Sequence, residues 1–84
     1  MQTPTKDIDY YMSLPYSILL TPISEEDGGG WLAEIPQLPG CMSDGETQQE
    51  ALNMIEDARR LWLESSLAHG DPIPEPALNP STLT

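Results

Sequence analysis

The chain has 84 residues, of which 38% are apolar, nine are Pro and none is Phe. A chain this short buries only about 60% of its unfolded surface, which excludes a large core and leaves one small domain that oligomerisation would support. Three Lys and Arg against fourteen Asp and Glu give a formal charge of −11; this argues against direct binding to a phosphate backbone, favours a basic partner and, on the bland reading, only maintains solubility.

Cys41 is the single cysteine, so an intramolecular disulfide framework or a multi-Cys zinc site is excluded and a reducing cytoplasm fits. No apolar run approaches the roughly 18 residues that span a membrane. Lys6, Asp7 and Asp9 interrupt the N-terminus where a signal peptide would need its apolar stretch. A soluble, unprocessed cytoplasmic protein is expected.

In chain order, residues 1–13 read as an arm in which Thr5 could cap a short helical turn over residues 7–12. Residues 16–21, Tyr-Ser-Ile-Leu-Leu-Thr between Pro15 and Pro22, suit a first strand. Ser24-Glu25-Glu26-Asp27-Gly28-Gly29-Gly30 reads as a mobile hairpin loop. In the second strand, residues 31–35, Trp31, Ala33 and Ile35 share the face expected to meet the core, and Leu32 and Glu34 share the other. Pro39-Gly40 fits the centre of a type II turn, and residues 41–44 form a third strand.

Thr47-Gln48-Gln49-Glu50 is a capping box, so a long helix starts there. On a 100° wheel Ala51, Ile55, Ala58 and Trp62 centre the apolar stripe, with Leu52, Met54 and Leu61 beside it. Asn53, Asp57, Arg60 and Glu64 lie opposite; Leu63 and Leu67 fall toward that polar side, and Arg59 interrupts the apolar flank. The helix thus carries more apolar surface than one sheet face needs, which fits an oligomer contact or isolated exposed Leu residues. Glu56 and Arg60 are spaced for an i, i+4 pair, while His69, Gly70 and Pro72 mark the helix end. Residues 71–76, with alternate Pro, suit a short fourth edge strand at most, and residues 77–84 a disordered tail. The expected class is α+β: an antiparallel three-stranded sheet packed on one long helix, in the order β-β-β-α-β.

The run Gly30-Trp31-Leu32-Ala33-Glu34-Ile35-Pro36-Gln37-Leu38-Pro39-Gly40-Cys41-Met42-Ser43-Asp44-Gly45-Glu46-Thr47 resembles the hallmark of HicB-like antitoxins. Leu14-Pro15-Tyr16, Glu50-Ala51-Leu52, Trp62-Leu63-Glu64 and Gly70-Asp71-Pro72-Ile73-Pro74-Glu75-Pro76 match the same family in the same order, so the likeness covers residues 14–76. It implies a partial ribonuclease-H-like fold and the neutralisation of a HicA-like toxin, a small basic protein that cleaves messenger RNA. The residues set against such a toxin are Asp27, Trp31, Glu34, Asp44 and Glu46. Fuller members carry a C-terminal DNA-binding segment, whereas only residues 77–84 follow the Pro-Glu-Pro run here, so direct DNA binding is not expected. The alternative reading is a solitary homo-oligomeric regulatory or scaffolding module without a toxin.

Catalysis is the weaker expectation. Two-metal chemistry needs carboxylates converging on ions about 4 Å apart; Glu25, Glu26 and Asp27 are consecutive on a Gly-rich loop, and only Glu34 and Asp44 could meet across strands. Cys41 and His69 are the sole conceivable nucleophile and base, and nothing in the sequence joins them. Gly28-Gly29-Gly30 precedes a strand and not the helix N-terminus a phosphate cradle requires. No catalytic residue, metal or cofactor is therefore expected.

Overall fold

The computed structural model describes residues 6–76. The Thr5 cap and the disordered tail expected at residues 77–84 lie outside them. The elements in order are α1 (Ile8–Met12), β1 (Leu19–Pro22), a 3₁₀ turn (Glu25–Asp27), β2 (Trp31–Glu34), β3 (Met42–Gly45) and α2 (Gln48–His69). The strands form one antiparallel sheet in the order β1-β2-β3, so the α+β class and the short N-terminal helix are as the sequence suggested.

The cap of α1 is Asp7, whose carboxylate accepts the Tyr10 backbone N–H at 3.0 Å. Such an acceptor satisfies an N–H that the first helical turn leaves without a partner. The first strand starts three residues later than its β-branched and aliphatic run. Tyr16 turns inward instead, buried, with its hydroxyl donating to the Pro74 carbonyl at 2.6 Å. Residues 71–76 do not join the sheet. Pro72, Pro74 and Pro76 offer no N–H to a ladder, and the segment is held by side chains: Ile73 packs on the core and the Glu75 carboxylate meets Tyr10 Oη and Lys6 Nζ.

The loop between β1 and β2 is a closed turn. Gly29 N–H donates to the Ser24 carbonyl at 2.8 Å, and Ile23 N–H to the Gly30 carbonyl at 2.9 Å. Between β2 and β3, Cys41 N–H donates to the Leu38 carbonyl at 2.9 Å with Gly40 at φ 83°, the type II geometry that Pro39-Gly40 suits. Half of the capping box forms as expected, the Thr47 hydroxyl accepting Glu50 N–H at 3.0 Å, while the Glu50 carboxylate reaches one residue further back and accepts Glu46 N–H at 3.0 Å. Gly70 ends α2 in a left-handed conformation.

The buried face of α2 differs from the one the wheel centred. Ala51, Ile55, Arg59, Leu63 and Ser66 are buried, whereas Met54 and Leu61 are 48% and 67% exposed. The interior side is rotated by roughly half a 100° step toward Arg59 and Leu63. The cause is a second packing partner. Besides the sheet, α2 packs against α1, and Tyr11, Tyr16 and Leu67 join the same cluster. Arg59 turns its guanidinium to Glu56, so the pair on this turn is i, i+3; Arg60 pairs instead with Glu64, i, i+4, at 3.4 Å. The core consists of Ala33 and Ile35 from β2 and its end, Leu38 and Cys41 from the turn, the two tyrosines, and Ala51, Ile55 and Leu63 from α2.

Candidate functional site

One face of the sheet is covered and the other is open. Cross-strand partners point to the same side, so the register places Leu20, Ala33 and Ser43 in one row and Pro22, Trp31 and Gly45 in the next, both toward α2. The helix lies close: a Cβ on Gly45 would sit 2.5 Å from Ala51 N, so only Gly admits the first turn of α2 at that point.

The opposite side carries two rows, Leu19-Glu34-Met42 and Thr21-Leu32-Asp44. Leu19 and Met42 are about half exposed, at 51% and 50%, while Leu32 and Glu34 are partly buried. Glu34 is thus a carboxylate between two apolar neighbours, and Asp44 lies on the diagonal from it, about 7 Å away at Cβ. At the end of the sheet where β1 turns into β2, the Gly30 backbone lies against Gly45 and Glu46, which brings Glu46 beside the hairpin turn. Glu25, Glu26 and Asp27 are exposed on that turn, with the Ser24 hydroxyl donating to the Asp27 carboxylate at 3.0 Å.

Of the five residues that the sequence sets against a partner, Glu34 and Asp44 share the open face, and Glu46 lies beside the hairpin turn on which Asp27 is exposed. Trp31 stands apart, on the helix side and packed against the core. Leu19, Thr21, Leu32 and Met42 were missed as site residues. Period-two alternation already put Leu32 with Glu34, but Leu19 and Met42 join them only through the pairing register.

The electrostatics are one-sided. Each of the three cations has its own carboxylate: Lys6 with Glu75 at 3.1 Å, Arg59 with Glu56, and Arg60 with Glu64. The open face and the acidic end of the sheet contain no Lys or Arg, so among the described residues their carboxylates meet no counter-charge. Glu75 is held below the usual carboxylate range by hydrogen bonds from Lys6 and then Tyr10. Burial pushes the Cys41 thiol up, with the nearby Arg59 guanidinium pulling the other way; a thiol so placed stays protonated and is a poor nucleophile. His69 is occupied at Nδ1, 2.7 Å from the Ser65 carbonyl. Among the described residues no group of three or more His, Cys, Asp or Glu could hold a metal ion, and no helix is long and apolar enough to cross a membrane.

Several known proteins are similar to this chain in sequence. A UPF0150 protein of Synechocystis sp. is 41% identical over 59 residues, covering 70% of this chain and 77% of that protein. Another, of Thermoplasma acidophilum, is 34% identical over 61 residues, covering 73% and 84%. The protein named Antitoxin HicB 1 of Photorhabdus laumondii is 31% identical over 64 residues, which is 76% of this chain but 39% of that longer protein. Residues 16–81 match the family described as HicB_like antitoxin of bacterial toxin-antitoxin system. The chain belongs to the HicB-like antitoxin family.

Proposed function

We propose that this protein is the non-enzymatic antitoxin of a two-component pair, and that it binds and occludes a small basic HicA-like toxin that cleaves messenger RNA. The observation that carries the reading is the open sheet face, where Glu34 and Asp44 stand among Leu19, Leu32 and Met42 without a cation. An RNA-cleaving protein has to present Lys and Arg to phosphates; a surface with fixed carboxylates and an apolar patch competes for those same side chains. Asp27 and Glu46 at the end of the sheet extend the acidic field. The carboxylates steer encounter and choose the partner, and the desolvated Leu and Met contacts slow its departure.

The test is binding of the full chain to the small basic protein encoded beside it, by titration calorimetry at rising salt. Tight binding that weakens as salt rises supports the reading. Glu34→Lys together with Asp44→Lys lowers affinity by at least about tenfold, chiefly through slower association, and leaves the toxin able to cut RNA in the mixture. No binding at low salt, or binding indifferent to both substitutions, overturns it.

A further inference from the structure

We propose that residues 72–76 form a detachable strap on the N-terminal helix, and that strap and helix open together as one unit while the sheet and α2 stay folded. The strap thereby gates the side of α2 on which α1 lies.

Neither piece holds by itself. Helix α1 has five residues, far below the roughly 12–15 at which an isolated helix becomes even marginal in water. The strap has no place in the sheet, and Pro72, Pro74 and Pro76 lack an N–H to give. Ile73 packs against the core, the Pro74 carbonyl accepts the Tyr16 hydroxyl at 2.6 Å, and the Glu75 carboxylate accepts Tyr10 Oη at 3.0 Å and Lys6 Nζ at 3.1 Å. Among the described residues, each polar fastening of the strap thus reaches back to residues 6–16.

Tyr10 joins the two pieces. Its hydroxyl holds Glu75, its backbone N–H donates to the Asp7 cap, and its carbonyl accepts both the hydroxyl and the N–H of Ser13, at 2.6 and 3.2 Å. Lys6 Nζ stands 5.6 Å from the centre of the Tyr10 ring, and that ring meets Tyr11 edge-on with centroids 5.0 Å apart. Tyr11 carries the contact into the core. Releasing Glu75 therefore loosens the residue that closes both ends of α1, and fraying α1 moves the donors that hold the strap. Such mutual dependence makes one cooperative unit. Proline at alternate positions keeps the free strap extended, so docking it again orders little backbone.

Opening uncovers Tyr11 and Tyr16, both buried in the closed state, and the side of α2 turned to α1. The open sheet face shares no residue with the strap or α1, so it keeps its shape in both states. The inference stands independently of the toxin reading.

Hydrogen exchange of the full chain, followed by nuclear magnetic resonance, tests it. Tyr16→Phe together with Glu75→Lys removes one fastening and repels Lys6. Exchange at the Tyr11, Ser13 and Leu14 amides then rises at least about tenfold, while Ala33 and Ile35 change by less than about twofold. Those three amides donate to carbonyls of residues 7–11, none of them in the strap, so only coupling moves them. The reciprocal variant, Asp7→Ala, removes the α1 cap without touching the strap; backbone relaxation then reports greater motion at the Ile73 and Glu75 amides, and Asp7→Asn, which still caps, restores their order. Unchanged exchange in α1, an equal rise in the sheet, or unchanged motion at Ile73 and Glu75 in Asp7→Ala would each overturn the proposal.

Discussion

The covered and open faces of the sheet come from the same three strands and answer to different demands. The covered side carries Leu20, Ala33 and Trp31, with Gly45 required by the close approach of α2. The open side mixes Leu19, Leu32 and Met42 with Glu34 and Asp44. Burial removes the choice of polarity on the first face, since an unpaired carboxylate there would cost several kcal/mol or neutralise itself. On the second, water tolerates either polarity, so burial does not dictate what stands there.

Substitutions on the two faces separate these demands. The largest loss belongs to Ile55→Ala, which empties a fully buried position under the sheet; it should cost about 2–5 kcal/mol in urea unfolding. Gly45→Ala comes next, at about 1–3 kcal/mol, because the added methyl meets helix backbone and not a flexible side chain end. Thr47→Ala, which removes the acceptor for Glu50 N–H, should cost about 1 kcal/mol. Met42→Thr on the open face should change stability by no more than about 0.5 kcal/mol, yet weaken toxin binding in the same titration that reads Glu34 and Asp44. A large stability loss from Met42→Thr would show that the open face is not free in the isolated chain.

The smallest effect concerns pH and the clasp between the two ends of the described chain. Glu75 has a folded-state pKa below its ordinary value because Lys6 and Tyr10 hydrogen bond to it. Its contribution is therefore complete above the ordinary carboxylate pKa and is lost as pH falls through the lower folded value. Glu75→Gln should flatten that part of the acid-unfolding curve and leave stability near neutral pH only slightly changed, as expected of an exposed pair. Denaturant melts of both proteins across the acid range check it.

Much of this architecture was legible locally. The capping box, the Pro39-Gly40 turn, the Gly70 stop and the inward set of Ala33 and Ile35 each depend on residues within a few positions of one another. Errors arose where a residue's role depends on a distant partner. The apolar wheel centres its stripe near Trp62, whereas the interior of α2 is centred nearer Arg59 because α1 and Tyr16 pack on that side. Trp62 is only partly buried and donates its indole N–H to the Pro39 carbonyl at 2.8 Å. The extended segment after α2 suits at most a sheet edge by sequence, and its three prolines instead leave it to be held by Tyr16, Tyr10 and Lys6.

For the site, the family likeness rested on sequence motifs, and the acidity was visible in composition. Glu34, Asp44 and Glu46 could be named from strand parity and turn position. Their grouping with Leu19, Leu32 and Met42 required the pairing register, since a shift of one residue would send each side chain to the other face. By itself the sequence determined the three sheet strands, the long helix with its Thr47 start and Gly70 stop, the Pro39-Gly40 turn and the net charge, because these follow from local backbone preference and residue counting. Only the tertiary structure decided which residues of the neighbouring strands join Glu34 on the open face, which side of α2 goes inward and which cations are already engaged, because each depends on side chains brought together from far apart in the chain.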